Sequence, residues 1–103
     1  MIKVSVFYPN DDGKKFDMDY YLNNHMPMVQ QKLGAALKGK DVEQGLGGLE
    51  PGSRATYAAM CHLHFDSIGT FQNAFGPHAE SIMGDVPNYT DIQPTVQISE
   101  VKL

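Results

Sequence analysis

The chain has 103 residues, 42% of them hydrophobic and 19% charged, and a formal net charge of −4. This is the length and composition of one folded domain, covering residues 1–103, and not of a disordered segment. Arg54 is the only arginine among eight scattered basic residues, which excludes the basic patch and guanidinium forks of a nucleic-acid binder. Cys61 is the only cysteine, so neither an intramolecular disulfide nor a CxxC metal site can form, and a cytoplasmic setting is expected. No apolar run approaches the length of a membrane span, and residues 1–8 read directly as a strand rather than a signal peptide; no membrane partner is expected.

Residues 2–8 alternate as a strand does. Ile2, Val4, Val6 and Tyr8 share one face, and Lys3, Ser5 and Phe7 the other. Pro9-Asn10-Asp11-Asp12-Gly13 is a dense turn signal. A helix follows, with Asp17 as N-cap, Asp19 in the first turn, and Phe16 placed to staple onto Tyr21. Met18, Leu22, His25, Val29 and Leu33 recur at helical spacing as a stripe facing a core. Pro27 lies inside this helix, where it removes a donor and crowds the carbonyl of Asn23, so a bend is expected near residues 23–27. Gly34 marks the end.

Residues 36–54 are mostly loop in character, with a short edge strand placed near 38–46, guarded by Lys38 and Lys40. Residues 55–65 read as a strand with Tyr57, Ala59, Cys61, Leu63 and Phe65 on one face and Thr56, Ala58, Met60, His62 and His64 on the other. Asp66 or Ser67 caps a second helix that turns Ile68, Phe71, Ala74 and Phe75 inward. Gly76 and Pro77 interrupt it, and Pro77 opens a short helix to about residue 83. Residues 85–91 read as loop, and residues 95–102 as the last strand, with Val96 and Ile98 on one face.

The β-α-β-β-α-β order predicts an α+β, ferredoxin-like sandwich: an antiparallel four-stranded sheet with both helices on one face. The 56/58/60/62/64 face is then open and mixed. Ala58 and Met60 would form part of an apolar patch there, and a homodimer joined sheet to sheet would cover it.

His25 carries the most chemical information, because it sits in the middle of an apolar stripe. Two readings stand: a core histidine with its hydrogen bonds satisfied, or a cavity histidine that donates to a ligand oxygen or takes a proton near neutral pH. The bend at Pro27 favours a cleft beside it. Tyr8, Tyr21, Phe65, Phe75 and Tyr89 supply aromatic surface for a small ligand, with Tyr21 one turn from His25. Asp85 opens its loop and either braces it or contributes to the same site. His62 and His64 lie on one strand face, but no spacing supplies a third metal ligand, so they read as interface residues and no metal is expected. No nucleotide or flavin fingerprint is present, GLGG at residues 45–48 lacking the strand-loop-helix context, and no cofactor is assigned.

Tyr8-Pro9, Phe16-Asp17, Tyr20-Tyr21, His25-Met26-Pro27, the run Asp85 to Asp91, Pro94 and Ser99-Glu100-Val101 appear in an order and spacing that resemble the EthD family, named for ethyl tert-butyl ether degradation. The resemblance covers nearly the whole length and is weakest at residues 36–54. It implies a dimeric α/β barrel made of two ferredoxin-like protomers, and a protein belonging to oxidative catabolism. Similar folds include cofactor-free monooxygenases, lactone isomerases and haem-degrading enzymes, an analogy of fold. The leading expectation is an oxidoreductase-type or accessory catabolic protein, monooxygenase-like if an enzyme. It would bind a small, apolar, oxygen-bearing molecule between sheet and helices, with His25 catalytic. The alternatives are a non-catalytic small-molecule carrier and a haem protein with a histidine axial ligand.

Overall fold

The computed structural model describes residues 1–103. Strand β1 (Ile2–Pro9) leads into a helix, α1, built of an α turn (Met18–Tyr20), a π-helical turn (Tyr21–His25) and an α segment (Met26–Leu33). A 3₁₀ turn (Gly34–Ala36) precedes β2 (Gly39–Gln44) and β3 (Tyr57–Phe65). Helix α2 (Ile68–Phe75), a 3₁₀ turn (Gly76–His78), helix α3 (Ala79–Gly84) and a 3₁₀ turn (Val86–Asn88) lead to β4 (Thr95–Glu100). The sheet order is β2-β3-β1-β4 and every neighbouring pair is antiparallel, the ferredoxin-like arrangement. No helix is long and apolar enough to cross a membrane.

The period-two patterns set the two faces. Ile2, Val4 and Tyr8 of β1 and Ala59, Cys61, Leu63 and Phe65 of β3 are all buried against the helices. The open face carries Ser5, Phe7, Met60, His62 and His64, aligned by the register Ser5↔His62 and Phe7↔Met60. A bulge at Tyr8/Pro9 pairs Pro9 with Tyr57 and brings the Tyr57 ring to 5.0 Å from Phe7. Tyr57 therefore leaves the row of Ala59 and Cys61 in which alternation places it.

Both N-caps form. Asp17 Oδ1 accepts from the Tyr20 N–H at 3.0 Å, and Ser67 Oγ accepts from the Thr70 N–H at 3.1 Å. The staple forms too, with Phe16 and Tyr21 ring centroids 5.1 Å apart. The bend at Pro27 takes the form of the π turn just before it. The Met26 N–H reaches back five residues to the Tyr21 carbonyl, which widens the helix where proline cannot donate. One extra residue in the turn rotates the row that follows. Tyr21, His25, Met26, Val29 and Leu33 are buried, while Leu22, expected inside, is 47% exposed.

Two further expectations need correction. Ile68 is 48% exposed, because it is the first residue of a two-turn helix whose contact with the sheet is made by Phe71 and Phe75. Residues 85–91 are not plain loop. The 3₁₀ turn Val86–Asn88 folds this segment back onto the start of α1, through a bridge between Phe16 and Thr90 and a 2.7 Å bond from the Asp17 N–H to the Tyr89 carbonyl.

Candidate active site beneath the bent helix

A cavity of about 370 Å³ lies between the covered sheet face and the helices. Its floor is Val4, Val6 and Tyr8 of β1 with Cys61 and Leu63 of β3. One wall is α1, through Tyr21, His25, Met26, Val29 and Leu33. The opposite wall is α2 and α3, through Phe71, Phe75, Ile82 and Met83, and the 85–96 segment closes it with Val86, Tyr89, Pro94 and Val96. A concave, apolar space with a few convergent polar groups is the usual form of a small-molecule site.

His25 is the one ionisable nitrogen in that lining. Its Nδ1 lies 2.9 Å from Asp85 Oδ2. Asp85 also accepts from the Tyr20 hydroxyl at 2.8 Å and from Asn88 Nδ2 at 2.9 Å. Partial burial raises the Asp85 carboxyl, but the bonds from Asn88, His25 and Tyr20 together outweigh it and hold the group below the usual carboxylate range. Asp85 is thus an anion and can only accept. Nδ1 must be the donor, which fixes the neutral tautomer with a lone pair on Nε2. Nε2 has no hydrogen-bond partner in the protein, and no fully buried side-chain polar atom lacks one, so Nε2 keeps accessible surface on a ring that lines the cavity. Burial lowers the imidazole below its ordinary value of 6.5, partly offset by Asp85, so His25 is neutral near pH 7.

The aromatic groups pack around this nitrogen. The Tyr21 ring stacks on His25, with centroids 5.2 Å apart and planes 17° from parallel, and Tyr89 lies 4.7 Å from His25 on centroids. Tyr8 and Tyr89 bond each other through their hydroxyls at 2.7 Å. Burial raises the hydroxyls of Tyr8, Tyr21 and Tyr89, so all three stay protonated. Burial also pushes the Cys61 thiol up to about 11, which makes it an apolar liner and not a nucleophile.

The structure thus brings together His25, Tyr8, Tyr21, Phe75 and Tyr89, all of which border the cavity. Asp85 stands behind His25 and outside the lining. Phe65 is wholly buried beneath Phe71, with ring centroids 5.1 Å apart, and does not reach the cavity. Sequence reasoning missed Tyr20 and Asn88, which hold Asp85. For Asn88 no local signature existed, since its bond to Asp85 runs from side chain to side chain; Tyr20 stood among the aromatic residues, but nothing placed its hydroxyl on Asp85. On the other sheet face His62 takes Ser5 Oγ at 2.8 Å and Glu43 at 3.2 Å, while His64 takes Asp41 at 3.6 Å. The two rings thus have separate partners.

The model of the EthD domain matches residues 13–93. Among solved structures, an EthD-like protein from Ralstonia eutropha JMP134 shares 46% sequence identity and superposes with a TM-score of 0.94, covering 99% of this chain and 92% of that one. An ethyl tert-butyl ether degradation family protein from Bacillus halodurans C-125 shares 19% identity with a TM-score of 0.68, over 99% of each chain. A dimeric protein of unknown function with a ferredoxin-like fold, from Bacteroides fragilis NCTC 9343, shares 12% identity with a TM-score of 0.57, covering 97% of this chain and 95% of that one. The last two are likenesses of fold. No curated protein matches the chain.

Proposed function

The chain belongs to the EthD family, and from that premise we propose that it is a small oxidoreductase-type or accessory catabolic protein. It holds an apolar, oxygen-bearing molecule in the cavity beneath α1 and uses His25 as proton acceptor. One observation carries this reading: Nδ1 of His25 is tied to Asp85 at 2.9 Å while Nε2, accessible on a ring that lines the cavity, has no protein partner. A core histidine would have both nitrogens engaged. A base that is neutral near pH 7, in an apolar cavity, suits removal of a proton from an electron-rich ligand. The lone, unreactive cysteine agrees with a cytoplasmic home.

The working unit in this reading is a homodimer joined through the open sheet face. Phe7, Tyr57 and Met60 are half-buried there, beside the side-chain pairs His62–Glu43 and His64–Asp41. That is the mixture of apolar centre and paired polar groups that a self-complementary interface uses.

The test begins with native mass spectrometry of freshly purified protein, which identifies any small molecule it retains. The affinity and turnover of that molecule are then compared with His25→Ala. Affinity is expected to fall about tenfold or more, the cost of losing one hydrogen bond in a dry site, and turnover to disappear. Unchanged affinity and turnover would overturn the role of His25.

A further inference from the structure

Resting on that reading of the cavity, we propose that it selects uncharged, planar aromatic molecules bearing an O–H donor, a phenol or an enol, and rejects carboxylates of the same shape. Three observations converge on this class.

The first is charge. No lysine or arginine lines the cavity. The charge closest to its polar end is the Asp85 carboxylate, hidden behind His25. An anionic ligand would leave water for an apolar space with no cation to receive it, and would face a carboxylate of its own sign.

The second is hydrogen bonding. Asp85 fixes the neutral tautomer in which Nε2 accepts, so the ligand must donate. Near that nitrogen, the Tyr8 and Tyr89 hydroxyls bond each other at 2.7 Å, one donating and one accepting, so of these three groups Nε2 is the one with no protein partner. A ligand with no donor covers Nε2 and leaves it unpaired, a loss that discriminates more strongly than an extra methyl group does.

The third is shape. Tyr21 stacks on His25 at 17°, and on the opposite wall Phe71 stacks on Phe75 at 19° with centroids 5.2 Å apart. Two stacked aromatic pairs present ring surface from both sides, to which a planar aromatic ligand fits by offset or edge contact. When the bound O–H gives up its proton, the O–H bond breaks and an N–H bond forms at Nε2. The ligand anion and the imidazolium are left as a pair, with Asp85 still a carboxylate beyond it.

Calorimetric titration with three naphthalenes of matched shape tests the inference: 2-naphthol (neutral donor), 2-methoxynaphthalene (neutral, no donor) and 2-naphthoate (anion). Near pH 7.5, 2-naphthol is expected to bind about tenfold more tightly than the methyl ether, and naphthoate more weakly than both. In His25→Ala the naphthol and its ether should become equal. In the wild-type protein, 2-naphthol should also shift the ¹⁵N resonance of the His25 Nε2, a readout that needs no variant. Naphthoate binding as tightly as naphthol overturns the charge selection. Equal binding of naphthol and ether to wild type overturns the donor requirement and leaves the cavity reading standing. Failure of all three to bind overturns both.

Discussion

Nδ1 of His25 and Oδ2 of Asp85 meet at 2.9 Å although 60 residues of chain separate them. The pairing decides which nitrogen faces the cavity. Asp85 is itself held by Tyr20 and Asn88, so the orientation of His25 rests on three groups that do not touch the cavity.

Replacing Asp85 by asparagine removes the negative charge that supports protonation of His25. Burial already depresses the imidazole, so Asp85→Asn should move its titration further below 6.5. Histidine ring resonances followed through pH by NMR check this. A rise in the His25 pKa in this variant would contradict the role given to Asp85.

The same pair sets two windows of acid sensitivity. For His25 the folded value lies below the ordinary 6.5 of an unfolded chain. Between the two the unfolded state binds more protons, so stability falls as pH drops through 6.5 and levels off below the folded value. For Asp85 the folded value lies below the ordinary 3.8, so the stability it contributes is present above that value and is lost as pH falls from there through the folded value. Thermal midpoints measured across pH should show both declines, and the upper one should be missing in His25→Ala.

Asp17 closes the start of α1 by accepting from the Tyr20 N–H. Asp17→Ala should cost about 1 kcal/mol, a fall of about 4–8 °C in the midpoint of a domain this size. Because this cap adjoins Tyr20 and Tyr21, ligand affinity should weaken as well. Calorimetric unfolding supplies the first number.

Met60 lies opposite Phe7 on one side and Glu43 on the other, at the centre of the open face. Met60→Asp would place like charges at the proposed dimer contact. Sedimentation equilibrium should find wild type dimeric and this variant monomeric, with the circular dichroism of the fold retained. A wild-type monomer at micromolar concentration would exclude the sheet-to-sheet dimer.

Most of the fold was legible because it is written locally. Period-two alternation set the faces of β1 and β3, and side-chain caps at Asp17 and Ser67 set the helix starts. What failed was the consequence of a signal that had been seen. Pro27 announced a bend, but the bend came as a π turn, and Leu22, expected inside, lies outside while Tyr21 is buried as expected. Phe65 has the right chemistry and the right face for the cavity, yet its place at the end of β3 puts it under Phe71. The pairing of Asp85 with His25 had no local signature at all. It exists because the 3₁₀ turn at Val86–Asn88 folds back on α1, a tertiary event that neither spacing nor propensity encodes.

The affinity of wild-type protein for 2-naphthol, measured from about pH 8 to pH 5, tests the central claim most directly. The phenol stays un-ionised in this range, so the group that changes at the site is His25. Affinity should hold steady through 6.5 and fall only below it, as pH drops through the depressed folded value and protonation removes the Nε2 lone pair, and it should be flat in His25→Ala. A wild-type affinity that stays flat while NMR shows the His25 ring titrating, or the same slope in the variant, would mean that His25 takes no part in holding the ligand.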